Sequence, residues 1–417
     1  MMIQKIESDS NYTATVVNLP STRPVKWLDN LVLATVFWYW CLVSKESKEW
    51  KYIFFPAETE LSEEFLRENN LYRHEQKNKD TSEKGFFEDN GRVRAMKFKW
   101  VVSSWFLTPI SCLSYLEDTE NLKVWDEFHI INQHNICKKY RKPVLWSKKN
   151  VTTKEEKHRV DIVIPNQFRL HCDTPQFLKF IDDFNEWDNI TITEKLHWTS
   201  AVFSNVLVKR KLGIIDRVAR YFGATIQDKE YYPLYSSRKV IKNDELNDSK
   251  NINWYYGEDI WWVHAKLLKN KIEKGITIYG EIVWYTTGGG YIQQGYTYGC
   301  KEGESKFYVY RITYTSPDGV VIEFTDSQIR QYCEIRYILV VPLIGKTQWN
   351  RDEILEMIWD IEILCPLNNG KVPREGVVIR IDGKENYSAY KLKSQMFLTW
   401  ETSQLDKDDS ADLESDS

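Results

Sequence analysis

Short apolar runs of β-type residues open the chain. YTATVV, LVLATVF and CLV fall between residues 12 and 43, and KYIFFP follows and stops at Pro56. Runs of this length, rich in β-branched and aromatic residues, predict strands. LSEEFLRENNL (61–71) changes period, and Ser62 stands before two glutamates, the pattern of a short capped helix. After a charged, loop-like stretch from Arg73 to Asp89, RVRAMKFKWVVSSWFLTPI (92–110) alternates basic and apolar residues before turning apolar. Several short strands, one helix and basic alternation predict a small β-barrel over residues 1–118.

Residues 119–160 read as a basic connector, with KKYRKP (138–143) and KKNVTTKEEKHR (148–159). From residue 161 strands and helices mix, which predicts an α+β domain of antiparallel sheets with flanking helices over 161–400. QFLKFIDDFNEW (176–187) predicts a helix and NITITEKLH (189–197) a strand entering a polar turn. VHAKLLKNKIEK (263–274) predicts a basic amphipathic helix and ITIYGEIVWY (276–285) a strand. FYVYRITYTSPDGVVIEFT (307–325) predicts a hairpin around Pro-Asp-Gly, and GVVIRID and SAYKLKS pair around Asp382-Gly383-Lys384. There is no internal repeat.

Charge and cysteine content narrow the function classes. The formal charge of −4 conceals a tail: residues 406–417 hold six acids and one lysine, a net of −5, so the rest of the chain is near +1 (−4 + 5). That leaves room for basic patches, and residues 401–417 read as an acidic disordered tail. Seven scattered cysteines without a CxxC pair point to reduced intracellular thiols. His134 and Cys137 form a lone HxxC with no second pair to complete a zinc site. The start lacks an apolar signal core, and the longest apolar stretch, Leu31–Val43, is too short to span a bilayer. A soluble cytoplasmic protein is expected, in a bacterial cell or encoded by a phage and acting in its host. One ratio is abnormal: 17 Trp against 18 Gly, where about 29 Gly are usual for this length.

Ionisable and aromatic residues recur at strand ends in the second half. In order they are Glu194-Lys195-Leu196-His197 after ITIT, Ser237-Arg238 in LYSSRKV, and Gly280-Glu281 in ITIYGEIV. Tyr308 and Tyr310 follow in FYVYRI, then Glu375-Gly376 in REGVVIR, and Lys391-Leu392-Lys393 in AYKLKS. Each alone is ordinary, and the order is what is specific. The sequence resembles the covalent nucleotidyltransferase superfamily and, within it, the ATP-dependent RNA ligases. Their motifs are Lys-x-(Asp/His)-Gly, Ser-Arg, Gly-Glu in a strand, an aromatic strand, Glu-Gly before two hydrophobic residues, and Lys-x-Lys. The His at 197 and the Thr-Ser at 199–200 look more like RNA than DNA ligases. Residues 1–118 also resemble the OB-like N-terminal domain of one branch.

The resemblance implies a nucleotidyltransferase domain over 161–400 in which Lys195 attacks the α-phosphorus of ATP and holds AMP as a phosphoramidate. Glu194 and His197 would flank the bound nucleotide. Lys391 and Lys393 would contact its phosphates, supplying a positive field that lowers the lysine pKa and neutralises transition-state charge. Arg238 would hold phosphate or the RNA end, Glu281 the ribose, and Tyr310 is favoured over Tyr308 as the ring on adenine. Both tyrosines lie on one face by strand alternation. Glu375 would place Mg²⁺ or Mn²⁺, which suit a hard carboxylate. The partner implied is RNA bearing 5′-phosphate and 3′-hydroxyl ends, with no membrane and no obligate protein partner. The OB-like module would offer a stacking platform, and the basic runs phosphate contacts.

The sequence departs from the family at the fourth position of the nucleophile motif, where Trp198 replaces glycine. A large indole there obstructs the nucleotide pocket. Trp284, Trp50, Trp105, Trp38, Trp40, Trp27 and Trp262 also stand where a chain wants glycine. One explanation covers motif and composition: a gene in which UGA encodes glycine, translated with UGA as tryptophan. Otherwise the chain is an impaired, RNA-binding ligase relative. A DNA nick ligase is the third reading, disfavoured by His197 and by the lack of an OB-like segment after Lys393.

Overall fold

The structure is a computed structural model, and it describes residues 2–19, 21–26, 28–37, 39–45, 49–98, 101–141, 162–197, 199–242, 260–284, 296–301, 303–359 and 361–407. The fold class is α+β with mostly antiparallel sheets. Contacts divide the chain into two units, the first from Met1–Pro143, Pro175–Asp183 and Leu392–Asp412 and the second from Val144–Thr174, Phe184–Lys391 and Leu413–Ser417. No described helix is long and apolar enough to cross a membrane.

In the first unit, β1 (Ala14–Asn18), β2 (Lys51–Phe55), β3 (Phe106–Pro109) and β4 (Glu127–Phe128) form an antiparallel sheet in the order β3-β2-β1-β4. Helix α1 (Glu63–Glu68) begins as its sequence predicts: Ser62 Oγ accepts the Phe65 N–H at 3.2 Å. The core gathers Val16, Ile53, Phe55, Phe65, Leu66, Phe128 and Ile131. The sheets here are open arrays of two to four strands, and among the described residues none closes into a barrel.

Three expectations change here. Residues 127–139, read as connector, are strands: Glu127–Phe128 pairs with β1, and Cys137–Lys139 pairs with Thr59–Leu61. Burial of Phe128, Ile131, Ile136 and Cys137 draws them in. The basic cluster beside them is partly committed, since Arg141 bonds Asp9 at 2.6 Å and Lys138 pairs with Glu60 at 3.0 Å. Residues 142–161 lie outside the described residues. The helix expected over 176–187 is two 3₁₀ turns, Phe177–Lys179 and Ile181–Asp183. Phe177, Leu178 and the Lys179 side chain all turn inward, Lys179 Nζ donating to Thr13, Thr15 and Glu127. One helical face does not bury three consecutive residues.

The tail also differs. Gln395–Lys407 is a helix with Phe397, Leu398 and Thr402 buried, and Asp406 accepts from Arg92 at 2.9 Å. Residues 408–417 lie outside the described residues. All seven cysteines are free. His134 of the HxxC pairs with Glu64 at 3.0 Å, while Cys137 points its thiol at backbone carbonyls.

Several tryptophans can be sorted. Trp105 is buried and stacked on Tyr39 with ring centroids 4.2 Å apart. Trp40 lies within the strand Tyr39–Ser44, under the Arg23 guanidinium. Those two rings are used. Trp50 is 66% exposed. Trp125, unremarked in the sequence, is 63% exposed with φ +78°, backbone that favours glycine. Trp27, Trp38 and Trp198 lie outside the described residues.

Among its described residues the second unit has two sheets. Its strands are β5 (Asn189–Lys195), β6 (Thr199–Lys209), β7 (Lys229–Ser236), β8 (Ile241–Lys242), β9 (Ile276–Trp284), β10 (Ser305–Thr315), β11 (Val321–Glu323), β12 (Leu339–Val340), β13 (Leu343–Gln348), β14 (Gly376–Asp382) and β15 (Ser388–Lys393). The four-stranded sheet runs β13-β5-β14-β15, and the seven-stranded sheet runs β8-β7-β6-β9-β10-β11 with β12 parallel to β10. The β10–β11 hairpin turns at Pro317-Asp318-Gly319, where Gly319 takes φ +90°. Helix α2 (Ile260–Leu268) starts three residues before the predicted segment and ends earlier, turning His264 and Trp261 inward.

Two outcomes are expected. Trp125→Gly should raise unfolding stability in urea by about 1 kcal/mol, the order of the left-handed backbone cost, whereas Trp105→Gly should lose about 3 kcal/mol or more. His264 is 5% exposed with Nε2 2.9 Å from Ser305 Oγ, and burial lowers its pKa to about 4. The unfolded chain therefore takes up the proton first, and stability is lost as pH falls from 6.5 towards 4. The loss should reach about 3 kcal/mol, and His264→Gln should flatten that part of a Tm-against-pH curve.

Candidate active site

Strand β5 ends where the chain crosses from one sheet to the other, and Leu196 and His197 begin the crossing. In the β5–β14 register Lys195 lies opposite Gly376, so Glu375 arrives beside the lysine from the start of β14. Lys195 Nζ is 2.6 Å from Glu375 Oε1, and the glutamate side chain is wholly buried. His197 Nδ1 is 3.6 Å from the same oxygen. Strand alternation sends Glu194 to the opposite face. There it accepts from the Cys365 thiol at 3.2 Å and lies 3.6 Å from Arg374 Nε.

The backbone after the lysine is held as well. His197 N–H donates to the Tyr298 hydroxyl at 2.9 Å, and the Tyr296 ring meets the imidazole edge-on. Tyr298 is buried at φ +46°, a conformation costing a non-glycine residue on the order of 1–3 kcal/mol.

Across β6 and β9, Ser200 pairs with Glu281, and its hydroxyl donates to Glu281 Oε1 at 2.9 Å. Gly280 is required: a Cβ there would come within 2.3 Å of the Tyr308 carbonyl and 2.5 Å of the Phe307 ring. Trp261 donates its indole N–H to the Ser200 carbonyl at 3.0 Å, with the Lys242 ammonium 3.7 Å from its ring centre. Trp261 is thus a working tryptophan. Trp262 lies under Lys266.

The two candidate tyrosines take different neighbours. Tyr308 lies opposite Glu281 in the register. Burial raises its pKa first, and the charges of Cys300, Glu304 and Glu194 add to it. A register shift at Tyr279/Gly280 leaves Tyr310 between the pairs Gly280–Val309 and Tyr279–Arg311. Its hydroxyl is 2.7 Å from His171 Nδ1. Burial, then the Glu281 charge, holds the Tyr310 hydroxyl protonated, while burial lowers His171 so that its Nδ1 can accept. His171 Nε2 is 3.6 Å from Asp173, which is also ion-paired with Arg238. The His171 contact, against the cost of burial and with help from Arg238 and Lys391, holds Asp173 well below the usual carboxylate range.

Lys195, His197 and Glu375 therefore form one cluster. Arg238 and Tyr310 meet the His171–Asp173 pair directly, and the charges of Lys391 and Glu281 act on Asp173 and Tyr310. The Lys393 ammonium is 3.0 Å from Glu401. His171, Asp173, Arg374, Tyr296, Tyr298 and Asn368 escaped the sequence reading. Arg374 adjoins the Glu-Gly motif and His171-x-Asp173 is a visible pattern, whereas nothing local marks Tyr298. The described residues hold no group of three or more metal-ligating side chains. A single buried carboxylate suits a hard divalent ion that takes its other ligands from phosphates and water.

Residues 188–393 match the model of the RNA ligase family. The fold matches Naegleria gruberi RNA ligase with PPi at TM-score 0.57 and 16% identity, covering 94% of this chain and 98% of that one. It also matches a mutant of that ligase with ATP and Mn at TM-score 0.56 and 16% identity over 94% and 99%. A mutant with AMP and Mn matches at TM-score 0.57 and 15% over 92% and 97%. No curated protein matches the sequence.

The buried pair makes a measurable statement. In a double-mutant cycle, Lys195→Ala should destabilise more than Glu375→Ala, since it strands a buried carboxylate. The coupling from urea unfolding should be about 1–3 kcal/mol.

Proposed function

We propose, for a chain that resembles the ATP-dependent RNA ligases and carries their family's segment over residues 188–393, that Lys195 is the AMP-accepting nucleophile of an enzyme joining RNA 3′-hydroxyl and 5′-phosphate ends. The observation that carries this is the 2.6 Å contact between Lys195 and buried Glu375, two motifs 180 positions apart in sequence. The relatives with ATP or AMP and Mn support nucleotide and divalent-ion use.

Lys195 attacks the α-phosphorus: its N–P bond forms, the bond to pyrophosphate breaks, and the amine gives up its proton. An RNA 5′-phosphate oxygen then takes the AMP from the lysine, and a 3′-hydroxyl displaces AMP to form the phosphodiester. Glu375 holds the ammonium in place before reaction. Glu375 would hold a divalent ion, which would supply charge neutralisation for the leaving group. Arg238 and Lys391 supply a cationic surface for phosphates, Glu281 is the hydrogen-bond acceptor for ribose, and Tyr310 the ring for adenine. His197 lines the pocket. Glu194 acts from the opposite face, through Cys365 and Arg374, and Lys393 is a further phosphate contact. The units proposed for binding RNA are the N-terminal domain and the basic connector.

A second reading concerns Trp198. Trp125, fixed at φ +78°, is a tryptophan in glycine's conformation and supports the recoding hypothesis, under which position 198 is glycine in the source organism. Without recoding, Trp198 makes the chain an impaired RNA-binding relative. Labelled ATP with Mg²⁺ should give an acid-resistant protein–AMP adduct with Trp198→Gly, about tenfold or more above the unsubstituted chain. Lys195→Ala should abolish it. An adduct that survives Lys195→Ala, or none with glycine at 198, refutes the assignment, and a UGG codon at 198 refutes the recoding. Competition between nicked RNA and nicked DNA reads out the substrate.

A further inference from the structure

Residues 296–298 bond to the segments that flank both strands bringing Lys195 and Glu375 together. The Tyr298 hydroxyl accepts the N–H of His197, two residues after Lys195. The Tyr296 hydroxyl donates to the carbonyl of Pro373, two residues before Glu375, at 2.5 Å. The left-handed backbone of Tyr298 is held by Asn368, whose Oδ1 accepts the N–H groups of Thr297 and Tyr298 at 2.8 Å each. Asn368 is 3% exposed, and its Nδ2 reaches the Cys365 sulfur, whose thiol points at Glu194. Tyr298, Asn368 and Cys365 thus tie the end of β5 to the segment entering β14. Burial, then the nearby Glu375 charge, keeps the Tyr298 hydroxyl protonated at any working pH.

We propose that Tyr298 is a positioning residue for Lys195: its hydroxyl, locked by the Asn368 clamp, fixes the backbone after the nucleophile and so the placement of the amine beside Glu375. The inference rests on reading Lys195 as the nucleophile. A strained backbone persists where its surroundings over-determine it. Here they do so at the point where a small shift of the loop would move the reacting nitrogen.

Tyr298→Phe keeps the ring and removes only the acceptor for a buried N–H. Single-turnover formation of the protein–AMP adduct, measured against ATP concentration and pH, separates placement from binding. The rate constant at saturating ATP should fall about tenfold or more, KM for ATP should change by less than about threefold, and the pH midpoint of the rate should move. Hydrogen exchange at the His197 amide should speed up. Asn368→Ala should give the same split, which covers the case in which Tyr298→Phe folds poorly. Wild-type rate and pH profile in folded Tyr298→Phe would overturn the proposal. If neither the unsubstituted chain nor Trp198→Gly forms an adduct, the ligase reading is what has failed. Exchange at His197 then decides the positioning claim by itself: faster exchange in Tyr298→Phe supports it and unchanged exchange defeats it.

Discussion

The contact between the Lys195 ammonium and the buried Glu375 carboxylate is the constraint on which the second unit depends. A carboxylate with no solvent exposure is tolerable only beside a positive partner and with its surroundings held still. The β5–β14 register supplies the partner by setting Lys195 opposite Gly376. Glu194 and Arg374, on the other face of the same two segments, repeat the arrangement at 3.6 Å. Two adjacent residues of β5 and two adjacent residues before β14 therefore form charge pairs on opposite sides of one backbone ladder. A one-residue slip would exchange the faces and break both pairs.

The seven-stranded sheet contributes a second arm by different means. Gly280 lets β9 and β10 approach closely. The neighbouring register shift turns Tyr310 towards His171 while Tyr308 keeps company with Glu194 and Glu304. Arg238 joins this arrangement through its ion pair with Asp173.

Lys195 and Glu375 were legible through the order of the motifs that hold them, each motif being ordinary by itself. A lysine closes a β-branched strand, and a Glu-Gly opens another. Gly280 was legible for the same reason, from the place of Gly-Glu in that order. Tyr308 and Tyr310 show the limit of local reasoning: alternation places them together, and one extra residue in the ladder separates them. Lys393 shows another, because its partner Glu401 belongs to a stretch read as solvated tail until burial of Phe397 and Leu398 made it a helix. The His171–Asp173 pair and the Tyr298–Asn368 clamp act through hydrogen bonds to residues 65 to 139 positions away. Hydrophobic periodicity carries no record of such partners.

By itself the sequence determined the strand-rich α+β character, the order of the motifs, and the anomaly of tryptophans at glycine-like positions. All three are properties of residue type and spacing along the chain. Only the tertiary structure decided which motif residues meet, because register, bulges and buried charge pairing are set between segments distant in sequence. It also divided the tryptophans by their surroundings. Trp105 and Trp261 place their rings in packed contacts, while Trp125 holds a backbone angle that only a residue without a Cβ adopts freely.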